Sequence, residues 1–147
     1  MEENKEIKLN RVRSGKIRNF VIIMLIVLAV LAAVFFWFHI MTQARMVLHE
    51  GKNAKLALDM IGIEYRAANK SVYDSRCRNG IESKVEKRLN DITGQEGYTV
   101  IVSYDSEEGR ILSMSYEKGR YKAWYSHDEN GDSWKVEYIT TVLDYSD

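Results

Sequence analysis

The feature that most constrains this chain is an uncharged apolar run from Phe20 to Phe38, FVIIMLIVLAVLAAVFFWF. At 1.5 Å of rise per residue, about 20 such residues in a helix match the ~30 Å hydrocarbon core of a bilayer. The run predicts a membrane-spanning helix over 20–41, which divides the chain into a tail at 1–19 and a separate domain at 42–147. A secretory signal has a shorter apolar region, about 7–15 residues, and a small-residue cleavage site. Here the run ends in bulky Phe35-Phe36-Trp37-Phe38, so an uncleaved anchor is expected, in contact with membrane lipid.

Charge supplies the orientation. Lys5, Lys8, Arg11, Arg13, Lys16 and Arg18 precede the run against Glu2, Glu3 and Glu6. The positive-inside bias then keeps the amino terminus in the cytoplasm and puts 42–147 outside the cell membrane. That outer part is slightly acidic, and it has no basic stripe suited to a phosphate backbone, which argues against nucleic acid. Cys77 is the single cysteine, which excludes an intrachain disulfide and a multi-cysteine metal site.

Helical periodicity continues past the apolar run. Ile40, Ala44, Val47, Gly51, Ala54, Leu58, Ile61, Tyr65 and Ala68 alternate intervals of four and three, which puts them on one stripe. No proline occurs in the chain, so one helix is expected from Ile17 to Asn69, ~50 residues and ~75–80 Å at helical rise. Its near half, Ala44, Val47, Gly51 and Ala54, has the small side chains of a helix-association face. The larger Leu58, Ile61 and Tyr65 suit packing on the chain's own domain. Glu50, Lys52, Lys55, Asp59, Glu64 and Arg66 mark the opposite side, which is solvated or faces neighbours.

A polar loop, Ser71 to Arg78, follows. Asn79-Gly80-Ile81-Glu82 reads as an Asn N-cap with a capping-box Glu. Ile81, Val85, Leu89 and Ile92 then share a face up to Gly94, a helix stop.

From Tyr98 the period switches to two. Tyr98 to Tyr104, Arg110 to Glu117, Arg120 to Ser126 and Ser133 to Leu143 read as strands. Asp105 to Gly109, Lys118-Gly119 and His127 to Asp132 read as turns, the last built on Asn130-Gly131. Connections this short make neighbours antiparallel. The expected fold is α+β: a long amino-terminal helix, transmembrane then amphipathic, packed on a four-stranded antiparallel meander, with one short extra helix. Val100, Val102, Tyr104, Leu112, Met114, Tyr116, Trp124 and Val136 are the set expected on the covered face.

Motifs of chemistry are sparse. His39, His49 and His127 have no partner at helical metal-ligand spacing. Asp128-Glu129-Asn130-Gly131-Asp132 superficially resembles a calcium loop, yet its twelfth position is Ile139 instead of Glu. Neither a nucleophile elbow nor a phosphate-binding glycine loop occurs. Asn69-Lys70-Ser71 fits a glycosylation acceptor, which would place that loop at the surface. These readings predict no catalytic, cofactor-binding or metal site, no small-molecule substrate and no enzymatic activity.

A basic leader ending at Ser14-Gly15, an apolar helix running into an amphipathic one, and a loop before a four-stranded meander together resemble the type IV pilins and pseudopilins over residues 14 to 147. The resemblance implies leader cleavage between Gly15 and Lys16. It also implies a helix that first anchors the subunit and then packs on neighbouring helices of a filament. The chain differs from that family in having Lys16 after the glycine, Phe20 where a glutamate stands, and neither a helix proline nor a carboxy-terminal disulfide. Two functions are therefore expected. One is a pilin-like structural or assembly subunit that forms homo- or hetero-oligomers through the long helix. The other is a permanently anchored extracytoplasmic binding or accessory module, comparable to a cystatin-like α+β domain, that recognises a protein or cell-wall partner.

Overall fold

The computed structural model describes residues 3–94 and 96–139, with side chains from residue 17 onward. The first helix, α1, runs over Glu3–Ala67. The chain divides into two compact units, Met1–Met41 and Thr42–Asp147. In the first unit the apolar side chains from Ile17 to Met41 are exposed on every side of the helix, and this segment is long and apolar enough to cross a membrane.

In the second unit α1 ends two residues before the expected Asn69. Asn69 itself is the reason. It adopts a left-handed φ of 54°, its N–H reaches the Arg66 carbonyl, and the Lys70 N–H reaches back to Tyr65 at 2.8 Å. Those two bonds form a Schellman closure, with asparagine in the place glycine usually takes.

Helix α2 spans Ser83–Thr93 and stops at Gly94, which is in the left-handed region. Its N-cap is Glu82, not the expected Asn79: the Glu82 carboxylate accepts from the Lys84 and Val85 N–H groups, both at 3.1 Å. Asn79 is used elsewhere. Buried to 5% exposure, it accepts from the Ile81 N–H, donates to Glu86, and its carbonyl takes the Ile101 N–H at 2.8 Å. It therefore fastens the loop to the sheet, a long-range duty that local spacing cannot reveal.

The sheet is an antiparallel meander in the order β1-β2-β3-β4, with β1 Tyr98–Asp105, β2 Arg110–Lys118, β3 Tyr121–Asp128 and β4 Gly131–Tyr138. Part of the stretch expected as the last strand, 140–143, lies outside the described residues. The last turn differs from expectation as well, because Asp128 pairs with Gly131 and leaves Glu129-Asn130 as the connection instead of Asn130-Gly131.

The covered face needs correction on three strands. Met114 and Tyr116 point inward as expected, but Ile101, Ile111, Ala123 and Tyr125 are buried in place of Val100, Val102, Leu112 and Trp124. The cause on β1 and β2 is a pair of register shifts around Ser103, which let Ile101 face Met114 and yet Tyr104 face Ile111. An irregularity of that kind exchanges faces part-way along a strand. On β3 the register places Trp124 beside Lys135 on the outer face, where its indole N–H donates to Glu137 and the Lys122 ammonium lies 4.3 Å from its ring.

The core lies between this sheet and the two helices. Leu58 and Ile61 of α1, Val85 and Leu89 of α2, and Val72 and Ile81 of the connection meet Ile101, Met114 and Tyr125. Burying each of the larger aliphatic groups contributes about 1.5–3 kcal/mol. The distal part of α1 is thus the cover that the sheet requires.

Candidate functional site

The helix-association face has a different use from the one expected. Val47, Gly51 and Ala54 are buried and Ala44 is half-buried. A Cβ added at Gly51 would lie 3.3 Å from Ala123 Cβ, Tyr116 Cβ and the Trp134 ring. The small residues admit the domain's own sheet to close range, so Val47, Gly51 and Ala54 have no surface left for a neighbouring helix. Gly15 and Lys16, the possible cleavage position, lie within the helical backbone of α1.

Beside Gly51, Glu50 pins the helix to β2. Its carboxylate accepts from Tyr116 Oη at 2.7 Å and from Lys118 Nζ at 2.9 Å. Partial burial raises its pKa, but the hydrogen bonds from Lys118 and Tyr116 outweigh that effect and hold it below the usual 4.5. The Tyr116 phenol is pushed upward, first by burial and then by its bond to Glu50.

The sequence-level candidates are scattered. Cys77 is half-buried in the loop, and the neighbouring Arg76 guanidinium is committed to Asp74 at 2.9 Å. Asn69, Lys70 and Ser71 are exposed. The acidic run at 128–132 folds as a turn in which Asp128 accepts from the Asn130 N–H. Among the described residues no three His, Cys, Asp or Glu side chains gather as a metal site.

His127 is the exception, and it is not the first residue of the turn that the sequence suggests. It belongs to β3, directly opposite Asp132 on β4. Its Nδ1 lies 2.7 Å from Asp132 Oδ1, and Arg110 lies 2.8 Å from its Nε2. A guanidinium can only donate, so Nε2 accepts and Nδ1 carries the proton given to Asp132. Tyr125 Oη donates to the same Asp132 oxygen at 2.8 Å. Asp132 is held below the usual carboxylate range by the bonds from His127 and Tyr125. Burial and the Asp132 bond push the Tyr125 phenol upward.

This chain of polar groups lines a cleft of about 370 Å³ between α1 and the strands. On its helix side Lys55 pairs with Asp59 at 2.6 Å and lies 4.8 Å from the Tyr125 ring, while Arg66 donates to the Glu108 carbonyl at 2.6 Å. Both His127 nitrogens are engaged, which leaves no lone pair to abstract a proton, and neither Ser nor Cys lines the cleft. The cleft can recognise a ligand through Arg66, Arg110 and Lys55. Sequence reasoning missed it because Arg110, His127 and Asp132 share no helical or strand spacing; the pairing of β3 with β4 sets His127 opposite Asp132, and the pairing of β2 with β3 brings Arg110 alongside. Compared with known protein families, curated proteins and solved structures, the chain matches none.

Proposed function

We propose that this chain is a single-pass membrane subunit of pilin-like architecture, with its amino-terminal tail in the cytoplasm and residues 42–147 outside, serving a structural or assembly role instead of a catalytic one. The observation that carries the reading is the contrast along α1. From Ile17 to Met41 the apolar side chains are exposed, while from Val47 to Ile61 one side of the helix is sealed beneath the sheet. An uncovered apolar helix is stable only in lipid or against other apolar helices. In this reading the assembly contacts of the anchor belong to residues 17–41, since Gly51 and Ala54 are already used.

A second reading, an anchored binding module, is favoured by the Arg110–His127–Asp132 cleft. One experiment separates the two. Protein from its native membrane is tested for alkaline extraction and protease accessibility, and its intact mass and first residue are determined. A membrane-embedded chain beginning at Lys16, with 42–147 digested from outside, supports the pilin-like subunit. An embedded chain beginning at Met1 moves the assignment to the binding module, and a chain extracted by alkali refutes both.

A further inference from the structure

The cleft between α1 and the strands is balanced in charge. Lys55, Arg66 and Arg110 share its lining with Asp59, Glu108 and Asp132, so it is neutral while His127 is neutral. Each cation also has an acceptor in place: Asp59 for Lys55, the Glu108 carbonyl for Arg66, and His127 Nε2 for Arg110. Of these acceptors, only an imidazole nitrogen is of the type that a proton converts into a donor between about pH 5 and 8. Once Nε2 carries a proton, two N–H donors would face each other at 2.8 Å, and the Arg110 guanidinium must turn away. Glu108 can receive it, since its Oε2 already lies 3.7 Å from the same Nη1. Asp132 stays on Nδ1 and pairs with the imidazolium, and the Tyr125 hydroxyl remains committed to Asp132. The protonated cleft then has one net positive charge and two donors, from Arg110 and Nε2–H, with no acceptor between them.

We propose that the cleft is a proton-linked carboxylate site: a small organic acid binds with its carboxylate between Arg110 and His127, and His127 Nε2 takes up one proton from solution for each carboxylate bound. A carboxylate arriving without the proton would set its oxygen against the Nε2 lone pair, acceptor against acceptor, and would displace the bond that Arg110 already makes. With the proton, the carboxylate accepts charge-assisted bonds from both the imidazolium and the planar guanidinium fork. One carboxylate and one proton enter, the Arg110–Nε2 hydrogen bond is lost, and the two new bonds replace it. An organic acid suits this lining better than an inorganic anion, because Leu58, Ile63, Val72 and Ile111 line the same cleft, and Ile63 is 62% exposed there. The volume of about 370 Å³ falls within the usual range for a small-molecule site, about 300–1,000 Å³. The site rests on the second reading above, the domain as a binding module, and uses nothing of the membrane anchor.

The test titrates the full chain in detergent with benzoate by isothermal calorimetry, at about pH 5.5 and about pH 7.5, in buffers of different ionisation enthalpy. Binding is expected to be about tenfold tighter at the lower pH, as an imidazole titrating between the two requires, with proton uptake approaching one per benzoate at the higher pH. Uncharged benzamide should not bind, and sulfate should bind more weakly than benzoate. His127→Gln keeps an acceptor for Arg110 and a donor for Asp132 but cannot take a proton, so its benzoate binding should be weak and equal at both pH values. Arg110→Gln should lose about tenfold at about pH 5.5. No proton uptake by the parent chain, a pH dependence that survives in His127→Gln, or benzamide or sulfate binding as tightly as benzoate would overturn the site. The proton count needs no variant, so it decides the matter even where a substitution fails to fold. The intact mass and first residue of the same preparation read the anchor separately. A chain beginning at Met1 that takes up no proton with benzoate refutes the carboxylate site alone, and proton uptake by a chain beginning at Lys16 refutes the permanent anchor alone.

Discussion

Replacing Gly51 with leucine tests whether the small-residue face of α1 belongs to the domain's own core. A Cβ at this position meets three atoms at 3.3 Å. Two of them, Ala123 Cβ and Tyr116 Cβ, are fixed to adjacent strand backbones and cannot swing aside as the end of a flexible side chain would. Removing a helix-interior glycine gains about 0.8–1 kcal/mol in propensity. Overpacking a tight core costs about 1–3 kcal/mol, and leucine adds further carbons beyond the first contact, which places it at the upper end. The net loss is about 2 kcal/mol, which at about 4–8 °C per kcal/mol lowers Tm by about 8–16 °C. Thermal unfolding of the full chain in detergent, followed by tryptophan fluorescence, reads the change directly because Trp134 is at the contact. Gly51→Ala should shift Tm much less, since its propensity gain nearly offsets one crowded methyl, and exposed Lys52→Ala should leave it unchanged. The reasoning is refuted if Gly51→Leu unfolds like the parent while its oligomers disappear, because the face would then be intermolecular.

Glu50 supplies a pH test. Its folded pKa lies below 4.5, so its stabilisation is complete above the unfolded value and is lost as pH falls below about 4.5. Glu50→Gln should flatten that acid limb in pH-dependent denaturation, and an unchanged limb would count against the Tyr116 and Lys118 bonds. Asn79→Ala strands the buried Ile81 N–H and frees Glu86, at an expected cost of about 1–3 kcal/mol in urea titration; a change near zero would show that the loop does not depend on this side chain. Asp132→Asn removes the carboxylate that helps to raise the Tyr125 phenol, so one tyrosine should ionise closer to its usual 10.0 in ultraviolet titration, and no shift would refute the Tyr125–Asp132 bond.

Residue type and period alone were enough for the long helix, the short helix and the meander, because apolar intervals of three and four or of two, and turn residues between short runs, are local signals. They also single out Leu58 and Ile61 as the sheet's cover and Phe20 to Phe38 as a segment apt for a membrane. What depends on distant parts of the chain was not legible. Asn79 has the chemistry of an N-cap, yet the Ile101 N–H draws its backbone to the sheet and Glu82 caps α2. The shifts around Ser103 reverse which of Ile101 and Val102 is buried, and nothing in their side chains announces it. Two stripes of the same period run along α1, one through Gly51 and Ala54 and one through Leu56 and Met60. Periodicity cannot rank them, since it records which residues share a face and not what lies against it. The sheet makes that choice by packing Ala123, Tyr116 and Trp134 onto Gly51. The same sheet, by setting β3 between β2 and β4, brings Arg110, Tyr125 and Asp132 into one cleft from positions with no common spacing.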